Sequence, residues 1–158
     1  MARKDITMNE VEIAEFLESA RTLQVGTLDA RGWPHLAPMW FVVDGGHIVF
    51  RSFSKSQKIV NLERDSRITV LLETGNRYEE LRGVMIQGRG RLVRDRNEVL
   101  RIYGLVAARY ALVGETTTVL EGDALEAAFG RYADKNTAVI VEPERTITWD
   151  HTKLGGAY

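Results

Sequence analysis

Apolar and polar residues change places along the chain with two different periods, and the switches between them mark out its elements. Val11, Ile13, Ala14, Phe16 and Leu17 fall on one helical stripe behind Asn9 or Thr7 as cap, which predicts a short N-terminal helix over one end of a sheet. The period then drops to two. Leu23-Gln-Val-Gly-Thr-Leu28 predicts a first strand, Asp29-Ala-Arg-Gly32 a turn, and Pro34 to Val43 a second strand returning as a hairpin. Asp44-Gly45-Gly46 is a further turn, and Ile48 to Ser52 a third strand that feeds a helix at 54–63. Arg67 to Glu73 and Gly83 to Val93 predict two more strands, the latter with Gly88 and Gly90 where a bend or bulge would sit. Asp95 with Glu98 opens a helix to about 111, on which Val99, Ile102, Tyr103, Val106 and Tyr110 share a face. A loop follows from Ala111 to Gly122, then a helix from Asp123 to Tyr132. Ala138 to Glu142 and Thr146 to Trp149 close the pattern, with Pro143 breaking them apart or lying at an edge. Short strands joined by tight turns, with few helices between them, predict a mainly β, α+β architecture built on a small barrel.

Composition narrows what such a barrel does. The 158 residues set the expectation of a single domain over 1–158 with a core that needs no staples. Lys and Arg number 21 against 22 Asp and Glu, a net charge of -1, which argues against a general nucleic-acid or anionic-membrane binder and confines any basic site to one locality. The chain has no cysteine, excluding disulfides, thiolate metal sites and cysteine nucleophiles. The polar start, Met1 to Glu10, lacks the apolar core of a signal peptide, and no apolar run approaches a membrane span, so a cytoplasmic protein is expected. His35, His47 and His151 have no ligand spacing, so no metal is expected, and none stands out as a haem ligand. Gly88-Arg-Gly90 interrupts a strand instead of opening a helix, which rules out a dinucleotide loop. Tryptophan buries a large area whatever its function, and for Trp33, beside a turn, a packing role is expected.

The local basic site is the segment Arg51-Ser-Phe-Ser-Lys55-Ser-Gln-Lys58-Ile-Val-Asn61-Leu-Glu-Arg-Asp65. An apolar strand runs there into a short helix. Ser54 with Gln57 fits a capping box, so the free N–H groups and positive dipole end of the first turn favour a phosphate. Arg51, Lys55 and Lys58 add charge, while Ile59 and Leu62 anchor the helix on the body of the protein.

Gly32-Trp-Pro-His-Leu-Ala-Pro-Met-Trp-Phe41, Lys55 to Asp65, Leu81-Arg-Gly-Val-Met-Ile-Gln-Gly88 and Thr148-Trp-Asp-His-Thr-Lys-Leu-Gly155 together resemble the split β-barrel oxidoreductases of the pyridoxamine-phosphate-oxidase-like superfamily. The nearest pattern is an actinobacterial branch that uses the 8-hydroxy-5-deazaflavin coenzyme F420. The resemblance implies a homodimeric split β-barrel whose cofactor lies in a groove between subunits and whose chemistry is hydride transfer to or from a conjugated small molecule. It implies Lys58 as the phosphate lysine, with Lys55, Ser56 and Gln57 around the phosphodiester. Pro38, Met39 and Trp40 would run beside the ring, and Trp149 and Lys153 would reach in from the partner subunit. Tyr78 and His151 are the proton-donor candidates. Ser56 stands where some deazaflavin binders carry arginine, and the local charge accommodates flavin mononucleotide (FMN) as well as F420. A non-catalytic cofactor-binding or storage protein is the alternative of a different class.

Overall fold

A computed structural model of the chain describes residues 5–155; Met1–Lys4, part of the polar N-terminal stretch, lie outside the described residues. The elements are α1 (Glu10–Ser19), β1 (Leu23–Leu28), β2 (Pro34–Met39), β3 (Val42–Asp44), β4 (His47–Phe53), α2 (Gln57–Arg64), β5 (Arg67–Thr74), β6 (Arg82–Val93), α3 (Arg96–Arg109), α4 (Gly122–Ala133) and β7 (Asn136–Asp150). Single turns of 3-10 helix follow β5 and β7, at Tyr78–Glu80 and His151–Leu154. All pairings are antiparallel, in the order β2-β1-β5-β6-β7-β4-β3. The seven strands form one curled sheet, the half-barrel of a split β-barrel.

The pleat divides the residues of this sheet between two packing faces. Leu23, Val25, Phe50, Val70, Leu72, Val84 and Val139 turn inward, where Phe16 of α1 and Ile59 and Leu62 of α2 join them in the main core. Behind β3, β4 and β7, α3 lays Val99, Ile102, Tyr103 and Val106 on Val42, Val49 and Ala138, forming a second cluster. Asn9 caps α1 in a reciprocal bond with Glu12, which selects it over Thr7 as the cap; Val11, placed on the apolar stripe, is 66% exposed.

Two expectations change here. The strand expected from Pro34 to Val43 is cut at Trp40 and Phe41, because β2 pairs with β1 while β3 pairs with β4 at the other end of the sheet. The two closing strands are one strand of 15 residues, and Pro143 does not interrupt it. Its position explains why. The register with β6 shifts between Gln87 and Gly88, and Pro143 sits opposite Gly88 at that bulge, where a missing N–H costs no regular ladder bond.

Candidate functional site

The strand-to-helix corner after β4 forms, with its parts arranged differently from the sequence expectation. The helix starts at Gln57, not 54, with Ser56 as N-cap. Ser54 does not cap it. Its N–H bonds the Lys135 carbonyl at 2.9 Å and its hydroxyl meets Thr137 at 2.9 Å, which ties the corner to the start of β7. Gln57 turns back along the helix and donates to Asn61 Oδ1 at 2.8 Å, and Asn61 donates in turn to Thr27 at 3.0 Å. This chain of bonds satisfies the fully buried Asn61 and pins α2 to β1.

What remains at the corner is a set of donors. Ser56 makes no side-chain bond to the first-turn N–H groups, since its hydroxyl faces that of Ser52 at 3.0 Å. Lys58 donates to the same Ser52 oxygen at 3.2 Å. Whichever way the Ser52–Ser56 bond points, one hydroxyl hydrogen is left over for an acceptor. Burial pushes the Lys58 ammonium below its ordinary value. Most arginines of this chain face carboxylates, among them Arg67 with Asp65, Arg96 with Glu126 and Arg101 with Asp44. Among the described residues, Arg51, Lys55 and Lys58 form no such pair. An open helix N-terminus with two unpaired lysines and a spare hydroxyl is an anion-binding arrangement.

Arg51 does not belong to it. Neighbours on a strand point to opposite faces, so with Ser52 turned toward Ser56 and Lys58, Arg51 projects toward α3. There its guanidinium lies 3.7 Å from the centre of the Tyr103 ring. It lines a cleft of about 400 Å³ with Thr22, Pro38, Met39, Trp40 and Val106. The three residues expected beside a ring therefore stand together in this cleft, with Trp40 stacked on Tyr110 at 4.8 Å. Pro38 also begins a cross-strand row, Pro38–Gln24–Leu71–Met85–Ile147, over the sheet face that looks away from the core. Leu71, Met85 and Ile147 in that row are only partly buried, and Leu36 on the same face is 72% exposed.

The remaining site residues lie elsewhere. Trp149 faces Gly83 across the β6–β7 ladder, its ring lying where any side chain at 83 would be. Lys153 is engaged by Glu12 Oε2 at 2.7 Å and the Thr7 carbonyl at 2.6 Å, joining the end of the chain to the start of α1. Tyr78 and His151 meet each other, with ring centres 4.6 Å apart and His151 Nδ1 2.8 Å from the Tyr78 carbonyl. That pair follows Asp150, whereas the anchor corner faces Asn136 through Phe53. The 15-residue β7 separates them by roughly 45 Å of contour at about 3.3 Å per residue. Trp33, expected to pack, is 68% exposed beside its turn.

These observations define a split-barrel protein with an anion corner and an aromatic-walled cleft beside an open sheet face. The family model for pyridoxamine 5'-phosphate oxidase matches residues 10–150, and the chain belongs to that family. A conserved hypothetical protein of Mycobacterium tuberculosis, Rv2991, is 37% identical, with all of this chain and 94% of that one aligned at a TM-score of 0.86. An F420 reductase shares the fold at 18% identity and TM-score 0.62, over 84% of this chain and 94% of its own. HutZ, the heme storage protein of Vibrio cholerae, does so at 18% and 0.59, over 89% and 94%. No match among curated proteins is found. No helix among the described residues is long and apolar enough to cross a membrane.

Proposed function

We propose that this protein is a homodimeric oxidoreductase that binds coenzyme F420 with its phosphodiester on the first turn of α2, and that it moves hydride to or from a conjugated small molecule. The observation that carries the reading is the corner itself: free N–H groups, a spare hydroxyl, and Lys55 and Lys58 without carboxylate partners. Such donors fit a phosphate and would not be left uncompensated beside an apolar ligand. When bound, the deazaflavin supplies two-electron hydride chemistry. The chain's residues bind and orient it. Ser56 and Lys58 hold the phosphate, Lys55 adds charge from the rim, and Pro38, Met39 and Trp40 set the plane beside the ring. The F420 reductase among the structural neighbours supports this choice of cofactor, and FMN is the alternative that the same anchor fits.

A groove on the outer sheet face requires a second copy to close it. The row from Pro38 to Ile147 leaves apolar side chains part-exposed on that face, which favours covering it with another subunit. Trp149, lying on the same side across Gly83, would then border the groove. Gel filtration should give twice the chain mass; elution at the mass of one chain would remove the two-subunit groove.

The non-catalytic reading has one observation in its favour, the separation of Tyr78 and His151 from the anchor within one chain. Parallel calorimetric titrations with F420, FMN and haem test both readings. Tight F420 binding, with the reduced cofactor oxidised by enones or quinones faster than in buffer, is the expected result. Slower oxidation on the protein would favour storage, and binding of neither F420 nor FMN would sink the proposal.

A further inference from the structure

Arg51 stands apart from every other described cation. Arg109 also has a buried Nε without a partner, but its terminal nitrogen donates to the carbonyls of Leu17, Glu18 and Ala20. The Arg51 Nε is buried and unpartnered too, yet its guanidinium donates to no described residue. No carboxylate perturbs it: its one titratable neighbour is the Tyr103 phenol, over which it lies. Burial pushes Arg51 below its ordinary value, but a guanidinium is so strong a base that it stays charged at neutral pH. A half-buried, permanent cation with no counter-charge is costly to the fold, and stacking on an aromatic face compensates only part of that cost.

The geometry around it prepares for a ligand. Stacking on Tyr103 holds the guanidinium plane in place, which presents its fork of N–H donors in a fixed direction. The cleft it lines has no acidic residue on its walls; Thr22 is its one other polar side chain, and Pro38, Met39, Trp40 and Val106 supply an apolar body. The Trp40–Tyr110 stack makes one wall rigid and flat.

We infer that the Arg51 cleft is a subsite for a small, flat, conjugated carboxylate, its carboxylate paired with the Arg51 guanidinium and its body against Trp40. The subsite stands on the surroundings of Arg51 alone. Its role as the place where substrate meets hydride donor rests on the F420 reading, since Pro38–Trp40 border both. On that reading the substrate class narrows from conjugated small molecules to conjugated acids.

The test uses trans-cinnamate and its neutral isostere cinnamamide, titrated into the full-length protein without cofactor. Wild-type protein should prefer cinnamate by roughly tenfold or more, as a charge-assisted fork pairing implies. R51Q should lose that preference while keeping its affinity for cinnamamide, and R51K should retain part of it. K58A should keep the preference intact. Equal binding of acid and amide by wild-type protein would overturn the inference, as would a preference that survives in R51Q. Cinnamate selectivity alongside failed F420 and FMN titrations would uphold the subsite and remove only the cofactor reading.

Discussion

Gly88→Ala should lower stability by about 2–4 kcal/mol, seen as a reduced urea midpoint with no change in slope. A Cβ at 88 would lie 2.0 Å from the Glu142 carbonyl oxygen, 3.0 Å from its carbon and 3.1 Å from Pro143 Cα. All three are backbone atoms of β7, so relief requires moving the strand and not rotating a side chain. The nearby Gly90 makes a useful contrast. A Cβ there meets Leu62 and Val139 side-chain methyls at 3.0–3.3 Å, which can yield, so Gly90→Ala should cost less. A midpoint for Gly88→Ala equal to wild type would show that the bulge does not fix the register of β6 on β7.

Lys58→Ala should weaken cofactor binding by on the order of 1.5–3 kcal/mol, roughly 10- to 150-fold in Kd, while thermal unfolding stays near wild type. The two halves of this expectation have one cause. Lys58 has a hydroxyl for its partner and no carboxylate, and burial holds its pKa down, so its charge costs the empty protein something and is recovered when an anion arrives. The sign of the pH effect follows. The ammonium binds the anion only while protonated, so affinity is steady below the Lys58 pKa and falls above it, and that fall should begin at lower pH than for an ordinary lysine. Calorimetry across pH checks both; an unchanged Kd in the variant would remove Lys58 from the site.

The sequence carried most of the fold because its signals were local. Leu23–Leu28 alternates like a strand over its first three residues, and Asn9 and Asp95 each stand three residues before a glutamate; both side chains cap as their spacing implies. The Gly88 bulge was legible because a strand interior rarely carries glycine without reason. The failures were long-range. Ser54 has cap spacing toward Gln57, but its partners are Lys135 and Thr137, some eighty residues away. Pro143 looked like a break because its tolerance depends on a register shift in a different strand. The spacing groups Arg51 with the lysines, whereas the alternation of β4 turns it away from Ser52 and onto Tyr103. Lys153 could not have been placed from sequence, because Glu12 lies at the other end of the chain.

The sheet order has a consequence for how the chain assembles. The β3–β4 hairpin joins the sheet through β7 alone, so residues 42–53, made early, have no strand to pair with outside the hairpin until residues 136–150 emerge. The anchor corner hangs on the same late step, because Ser54 is tied to Lys135 and Thr137 at the head of that strand. Half-synthesised chains therefore carry an unpaired apolar hairpin, Ile48-Val49-Phe50 among its residues, and closure must await a contact of high sequence separation. Folding should be slow for a chain of this size, and the strand-to-helix corner after β4 should be among the last parts to take shape.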